Sequence, residues 1–208
     1  MTDRYRTVRS VLEYEPPPIK HSRFIARVGP ARDEAEAREL LDAMRRDYPD
    51  ARHVCWAWRL GLDGATTRSS DDGEPGGSAG RPILQQLEGH EVTCVAAAVA
   101  RYFGGTKLGV GGLMRAYGGA AGMALDRADV HVVDVLDAVE CRHDYPDSSA
   151  VGGVLAAFGV EQEDAEYAED VRFRVRIPRA RRPEFEALFR DATGGRGGTS
   201  CNPARESD

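Results

Sequence analysis

Between Val92 and Phe103 the chain reads VTCVAAAVARYF, with a single charge, Arg101, near its end. A run this apolar, bounded by turn residues, reads as a buried strand and as the central one of its sheet. Two segments that cannot be ordinary core flank it. Upstream lies SSDDGEPGGSAGRP (residues 69–82), which has no large apolar side chain and carries Asp71, Asp72 and Glu74 among glycines and prolines. Its backbone polar groups need water or a partner, so it is expected as a surface loop. Pro82 suits the first turn of a short helix, ILQQLE, and Gly89 its end. Downstream lies GGTKLGVGG (residues 104–112), a glycine-rich loop that leads into a helix to about Ala124.

The remaining periodicity supplies a mixed fold. Ser22–Val28 and Arg52–Leu60 read as strands. Asp33–Tyr48 reads as a helix with Ala37, Leu40, Leu41, Met44 and Tyr48 on one face, a capping box of Asp33 and Glu36, and Pro49 as its stop. Beyond Leu125 the pattern restarts. Val130–Val135 and Ala138–His143 look like strands or one interrupted strand, and Ser149 would cap a helix ending at Gly159. Val171–Ile177 alternates cleanly, with arginines 172, 174 and 176 on one face. Pro183 opens a last helix. This is a partial ferredoxin-like order. The division expected is an N-terminal domain over residues 1–126, a C-terminal domain over 127–192 and a flexible tail over 193–208.

Hydrophobic residues make up 41% of the 208, enough for a packed core. The longest apolar run, Cys94–Ala100, is too short to span a bilayer, and the start of the chain lacks an apolar leader segment. A cytoplasmic protein without membrane association is expected. The four cysteines are widely spaced, which favours neither a zinc site nor a disulfide framework. Residues 1–126 hold 17 basic and 17 acidic side chains, whereas residues 127–208 hold 11 and 17, so the net charge of −6 resides in the second half. That acidity argues against bulk nonspecific nucleic-acid binding and leaves room for a local basic patch.

The chemistry concentrates in the two loops. Amides of a glycine-rich loop at a helix start form an anion-binding concavity, and Arg101, Lys107 and Arg115 add positive charge there. The order Gly-Thr-Lys is not that of a Walker loop. Asp71, Asp72 and Glu74 suit a divalent metal, acid–base work, or simply the capping of a turn. His53 and Cys55 share a strand face and read as buried, satisfied residues. Arg172, Arg174 and Arg176 suit RNA phosphates, and suit better an ion-paired lattice with the acidic segment Glu161–Asp170.

Taken together, SDDGEPGGSAGRPIL and VARYFGGTKLGVGGLMRAYGGAA resemble the signature of the IMPACT/YigZ family, bacterial branch. KHSRFIARV (residues 20–28) and YPDARHVCWAW (residues 48–58) extend the likeness, which covers about Ile19–Leu125. The resemblance implies two α+β domains. The first would be similar to the second domain of a small-subunit ribosomal protein, a fold shared with elongation factor G. The second would be ferredoxin-like, similar to that factor's last domain. Eukaryotic members restrain a stress-activated translation-initiation kinase, but they carry a further N-terminal interaction domain not seen in this sequence, so that role is not carried over.

The leading expectation is a non-enzymatic, translation-associated regulator that binds RNA, the ribosome or a translation-factor protein partner. Its candidate binding residues are Asp71, Asp72, Gly73, Glu74, Arg101, Gly104, Gly105, Thr106, Lys107, Gly109, Gly111, Gly112 and Arg115. No catalytic residue, metal or cofactor is assigned. The alternatives are an enzyme acting on a phosphorylated small molecule or nucleotide, and a protein-interaction module without nucleic acid. In the fold that the resemblance implies, the two loops are expected to converge on one surface, with Arg101 or Lys107 paired to Asp71, Asp72 or Glu74.

Overall fold

The alanine-rich strand is central, as its composition requires. A computed structural model of the chain describes residues 2–202. One unit spans Arg4–Val133; among the described residues the other comprises residues 2–3 and 134–202. In chain order the first unit runs β1 (Arg4–Val8), β2 (Leu12–Tyr14), β3 (Arg23–Pro30), α1 (Glu34–Asp47), β4 (His53–Leu60), β5 (Thr66–Ser70), α2 (Gly80–Gly89), β6 (Val95–Tyr102), α3 (Val110–Leu125) and β7 (Val130–Asp134). Five strands form a sheet in the order β2-β3-β6-β4-β5, and β1 pairs with β7. Strand β6 is antiparallel to both β3 and β4.

Alternation along β6 divides the core in two. Ala96, Ala98 and Ala100 face α1, where they meet Leu41, Met44 and Trp58. Val95, Ala97 and Val99 face α2 and α3, where they meet Ile83, Leu87, Leu113 and Tyr117. Small side chains on both faces let helices approach the strand from each side, and interdigitation with the larger residues fills the space. Asp33 caps α1 as expected, its Oδ1 accepting from the amides of Ala35 and Glu36 at 2.8 and 2.9 Å. The Glu36 carboxylate accepts from the Arg32 amide at 2.8 Å, so the reciprocal half of the box is displaced one residue upstream.

The second unit contains β8 (Leu136–His143), α4 (Ser148–Phe158), β9 (Glu163–Tyr167), β10 (Val171–Pro178), α5 (Arg182–Ala192) and β11 (Gly198–Asn202). Its sheet order, β11-β8-β10-β9, with every pairing antiparallel, is the ferredoxin-like arrangement. Its core joins Val139, Phe173, Val175 and Ile177 to Val151, Leu155, Phe185 and Phe189 of the helices.

Three sequence expectations change. The division lies after Val133, not at Asp126, because β7 returns to pair with β1. Residues 198–202 form an edge strand on β8 where a tail was expected; this strand completes the fold, while residues 203–208 lie outside the described residues. Helix α4 begins at Ser148, so Ser149 is not its cap, and the N-cap residue, Asp147, is engaged by Arg196 at 2.5 Å.

If the alanines of β6 set the helix spacing, Ala97→Leu overpacks the α3 side. A loss of about 1–3 kcal/mol is expected in urea unfolding of the full chain. An unchanged unfolding midpoint would show that this layer has room to spare.

Candidate functional site

The acidic loop is built around Asp71. Its carboxylate accepts from the backbone amides of Gly77, Ala79 and Gly80 at 2.7, 2.8 and 2.9 Å. The last two sit at the start of α2, whose N-cap position, Ala79, has no capping oxygen of its own. Asp71 therefore caps the helix from a distance and curls the loop, which buries Ser78, Ala79 and Gly80 where a surface loop was expected. Partial burial works to raise the Asp71 pKa, but the three N–H donors prevail and hold it below the usual carboxylate value.

Asp72 is likewise committed. Its Oδ2 accepts from the Val54 amide at 2.8 Å, its Oδ1 faces Arg45 at 3.4 Å, and its carbonyl meets His53 Nδ1 at 2.7 Å. A carbonyl only accepts, so Nδ1 carries the proton, and in the neutral ring Nε2 remains an acceptor. Gly73 is exposed beyond it.

Glu74 turns inward and closes the loop onto the sheet. Its side chain is only 5% exposed, with Oε1 accepting from Arg101 Nη1 at 2.5 Å and from the Tyr117 hydroxyl at 2.8 Å. The pair thus ties the acidic loop to the end of β6, just before the glycine-rich loop. Arg101 is itself buried, with its guanidinium near the rings of Phe24 and Phe103 at 5.7 and 5.6 Å. Behind this network, burial pushes the Cys55 thiol up to about 12, aided by the carboxylates nearby and opposed by its hydrogen bond with Tyr117. Cys55 is an inert core thiol, as the sequence suggests.

The glycine-rich loop owes much of its composition to backbone geometry. A Cβ on Gly104 would lie 2.0 Å from the His21 carbonyl carbon and 2.3 Å from the Ser22 nitrogen. Gly109, at φ 71°, occupies the N-cap of α3 in a conformation that suits glycine. That cap offers no side-chain oxygen, and the first turn holds no acidic residue. The amides of Val110, Gly111 and Gly112 therefore begin α3 without a capping side chain.

Between the loops is a cleft of about 460 Å³. Of the candidate residues, Glu74, Arg101, Lys107 and Gly109 line it. Asp71, Asp72, Gly73, Gly104, Gly105, Thr106, Gly111, Gly112 and Arg115 do not. The lining also includes Arg52, His53, Phe103, Leu108 and Leu113, which the sequence reading did not place at the site. For His53 the reading changes: it is half-buried and lines the cleft. The signal available was its two-residue spacing from Cys55. For Phe103 it was an aromatic residue placed directly before Gly104.

Asp71→Asn is expected to lower stability at about pH 7 by about 1–2 kcal/mol, at the low end for charge-assisted bonds because the loop is half exposed. A depressed folded pKa contributes stability above the unfolded value of about 3.9 and loses it as pH falls through the folded value. The gap between the two proteins in urea unfolding should therefore narrow toward about pH 3. A gap independent of pH would show that the charge of Asp71 does not matter.

The comparisons with known proteins agree with this architecture. A family model described as the Impact N-terminal domain matches residues 20–125, and one described as a domain of unknown function (DUF1949) matches residues 141–196. The chain is 46% identical over 162 residues to a Thermus thermophilus protein described as an "IMPACT family member in pol 5'region", covering 77% of this chain and 86% of that one. It is 36% identical over 179 residues to "IMPACT family member YigZ" of Escherichia coli, covering 85% and 88%. A solved structure described as that of "an hypothetical protein" matches over 100% of both chains with a TM-score of 0.72 and 31% identity. With its N-terminal domain matched by the family model and its relatives aligned along most of its length, the chain belongs to the IMPACT family.

Proposed function

We propose that this protein is a cytoplasmic, non-enzymatic, translation-associated regulator. It binds RNA, on the ribosome or beside a translation-factor partner, through the cleft at the start of α3. One observation carries the reading: Arg52 and Lys107 are exposed, make no ion pair among the described residues, and stand on a cleft beside a helix start that lacks both cap and acid. Unneutralised cations beside free helical amides suit a phosphate.

The second unit lacks that property on its arginine-bearing strand. Arg172 meets Asp170 at 2.8 Å, Arg174 meets Glu140 and Asp164 at 2.8 and 3.0 Å, and Arg176 meets Glu163 at 3.2 Å. These arginines are paired with carboxylates and offer little charge to RNA. No helix among the described residues is long and apolar enough to cross a membrane.

A second reading, an enzyme acting on a phosphorylated small molecule, is favoured by His53 alone. Its Nδ1 is fixed by the Asp72 carbonyl, which leaves Nε2 able to accept a proton at the cleft.

The test is binding to purified ribosomes and to a short structured RNA across a salt series, comparing the native chain with Arg52→Ala/Lys107→Ala. Arg101 is left intact, since its loss would strand Glu74 as a buried, unpaired charge. Binding should weaken with salt, and the variant should bind less tightly with a salt slope shallower by about 1–1.5. Absence of binding at low salt, or an unaffected variant, would contradict the reading. Turnover of a bound nucleotide would favour the enzyme.

A further inference from the structure

The lining of the cleft combines two kinds of chemistry. Lys107, Arg52 and the uncapped start of α3 supply positive potential at its rim. Phe103, Leu108 and Leu113 supply an apolar wall, and Phe103 remains 52% exposed although it is a large aromatic residue beside a buried core. Arg101 also lines the cleft. Its side chain is 8% exposed, it lies against the Phe103 ring, and its Nε has no hydrogen-bond partner. His53 adds an acceptor nitrogen. The volume, about 460 Å³, lies within the range of pockets that enclose a small ligand.

A double helix does not suit this arrangement. Its phosphates are accessible, but its bases are stacked and paired and would leave the apolar wall empty. A free phosphate would not use the aromatic wall either. An unpaired nucleotide offers both parts at once, an anionic phosphate and a flat, weakly polar ring.

We infer that the cleft receives one unpaired nucleotide, with its base against Phe103 and its phosphate at Lys107, Arg52 and the first amides of α3. Stacking on an exposed aromatic residue beside a cationic track is how single strands are gripped without sequence reading. This inference rests on the RNA-binding reading and narrows it to single-stranded segments. The shared chemistry, a nucleoside phosphate, comes either from an RNA strand or from a free nucleotide.

The experiment uses the full chain and a short single-stranded RNA carrying 2-aminopurine, the same strand annealed to its complement, and adenosine 5′-monophosphate as a competitor. Base stacking should change the 2-aminopurine emission on binding of the single strand. Phe103→Ala should weaken single-strand binding about ten-fold while leaving duplex binding unchanged. Phe103→Tyr should retain the emission change, since it keeps the stacking face. Competition by the mononucleotide at concentrations comparable to the oligomer supports the pocket and assigns it to free nucleotides. Failure of the mononucleotide to compete, with the Phe103 effect intact, supports the pocket and assigns it to RNA strands.

Equal affinity for single strand and duplex, with no effect of Phe103→Ala, would overturn the nucleotide pocket while RNA binding stands. Absence of any RNA binding at low salt, with no mononucleotide binding, would overturn both.

Discussion

The pair between Arg101 and Glu74 holds the first domain's site together. It joins the end of the central strand to the acidic loop, and through the Tyr117 hydroxyl it joins both to α3. Two charges taken out of water are costly, and attraction offsets that cost only where geometry is close and further hydrogen bonds are made. Here Glu74 accepts from two donors, and the Arg101 guanidinium lies near the rings of Phe24 and Phe103. Removing either partner would leave the other charge buried, at a cost of about 3–5 kcal/mol. A pair so placed fixes the acidic loop against the end of β6. Glu74, the carboxylate that lines the cleft, is thereby engaged within the fold and leaves Arg52 and Lys107 without an acidic partner there.

The acidic loop divides its carboxylates by task. The Asp71 carboxylate orders the loop's own backbone and caps α2, that of Asp72 holds the start of β4 while its backbone carbonyl orients His53, and that of Glu74 anchors the sheet. Three acidic residues within four positions look like a ligand cluster in the sequence, yet each is engaged within the fold. The positive side chains at the cleft rim, Arg52 and Lys107, lack such partners among the described residues. In the second domain nearly the reverse holds. Its charged strands neutralise one another across the sheet, and β9 supplies acids to the arginines of β10.

Much of this was legible from local pattern. The alanine and valine run announced a strand buried on both faces. The alternation of Val171–Ile177 announced a half-buried one, and the helix from Asp33 carried its cap in its first residues. What escaped were features that depend on distant partners. Strand β11, with the sequence GTSCN, has little intrinsic strand character and forms because β8 presents an open edge. Strand β5, TTRSS, is polar and mostly exposed, and it is ordered by pairing with β4. A pairing of Arg101 with one of the three carboxylates was an expectation of the fold that the resemblance implies, but its use of Glu74 in particular was not legible, because selecting one carboxylate of three requires the geometry of Tyr117. Arg52, His53 and Phe103 were missed because they lie at adjoining ends of the neighbouring strands β4 and β6 and converge only when the sheet forms.

We propose that this protein meets RNA at the cleft beside the start of α3. The most direct test is a titration of isotopically labelled full-length protein with a short single-stranded RNA, followed residue by residue through the backbone amide resonances. Shifts concentrated at Arg52, His53, Phe103, Lys107 and the first amides of α3 are predicted, with the β10 amides unmoved. Shifts confined to the ferredoxin-like sheet, or none at all at low salt, would contradict it.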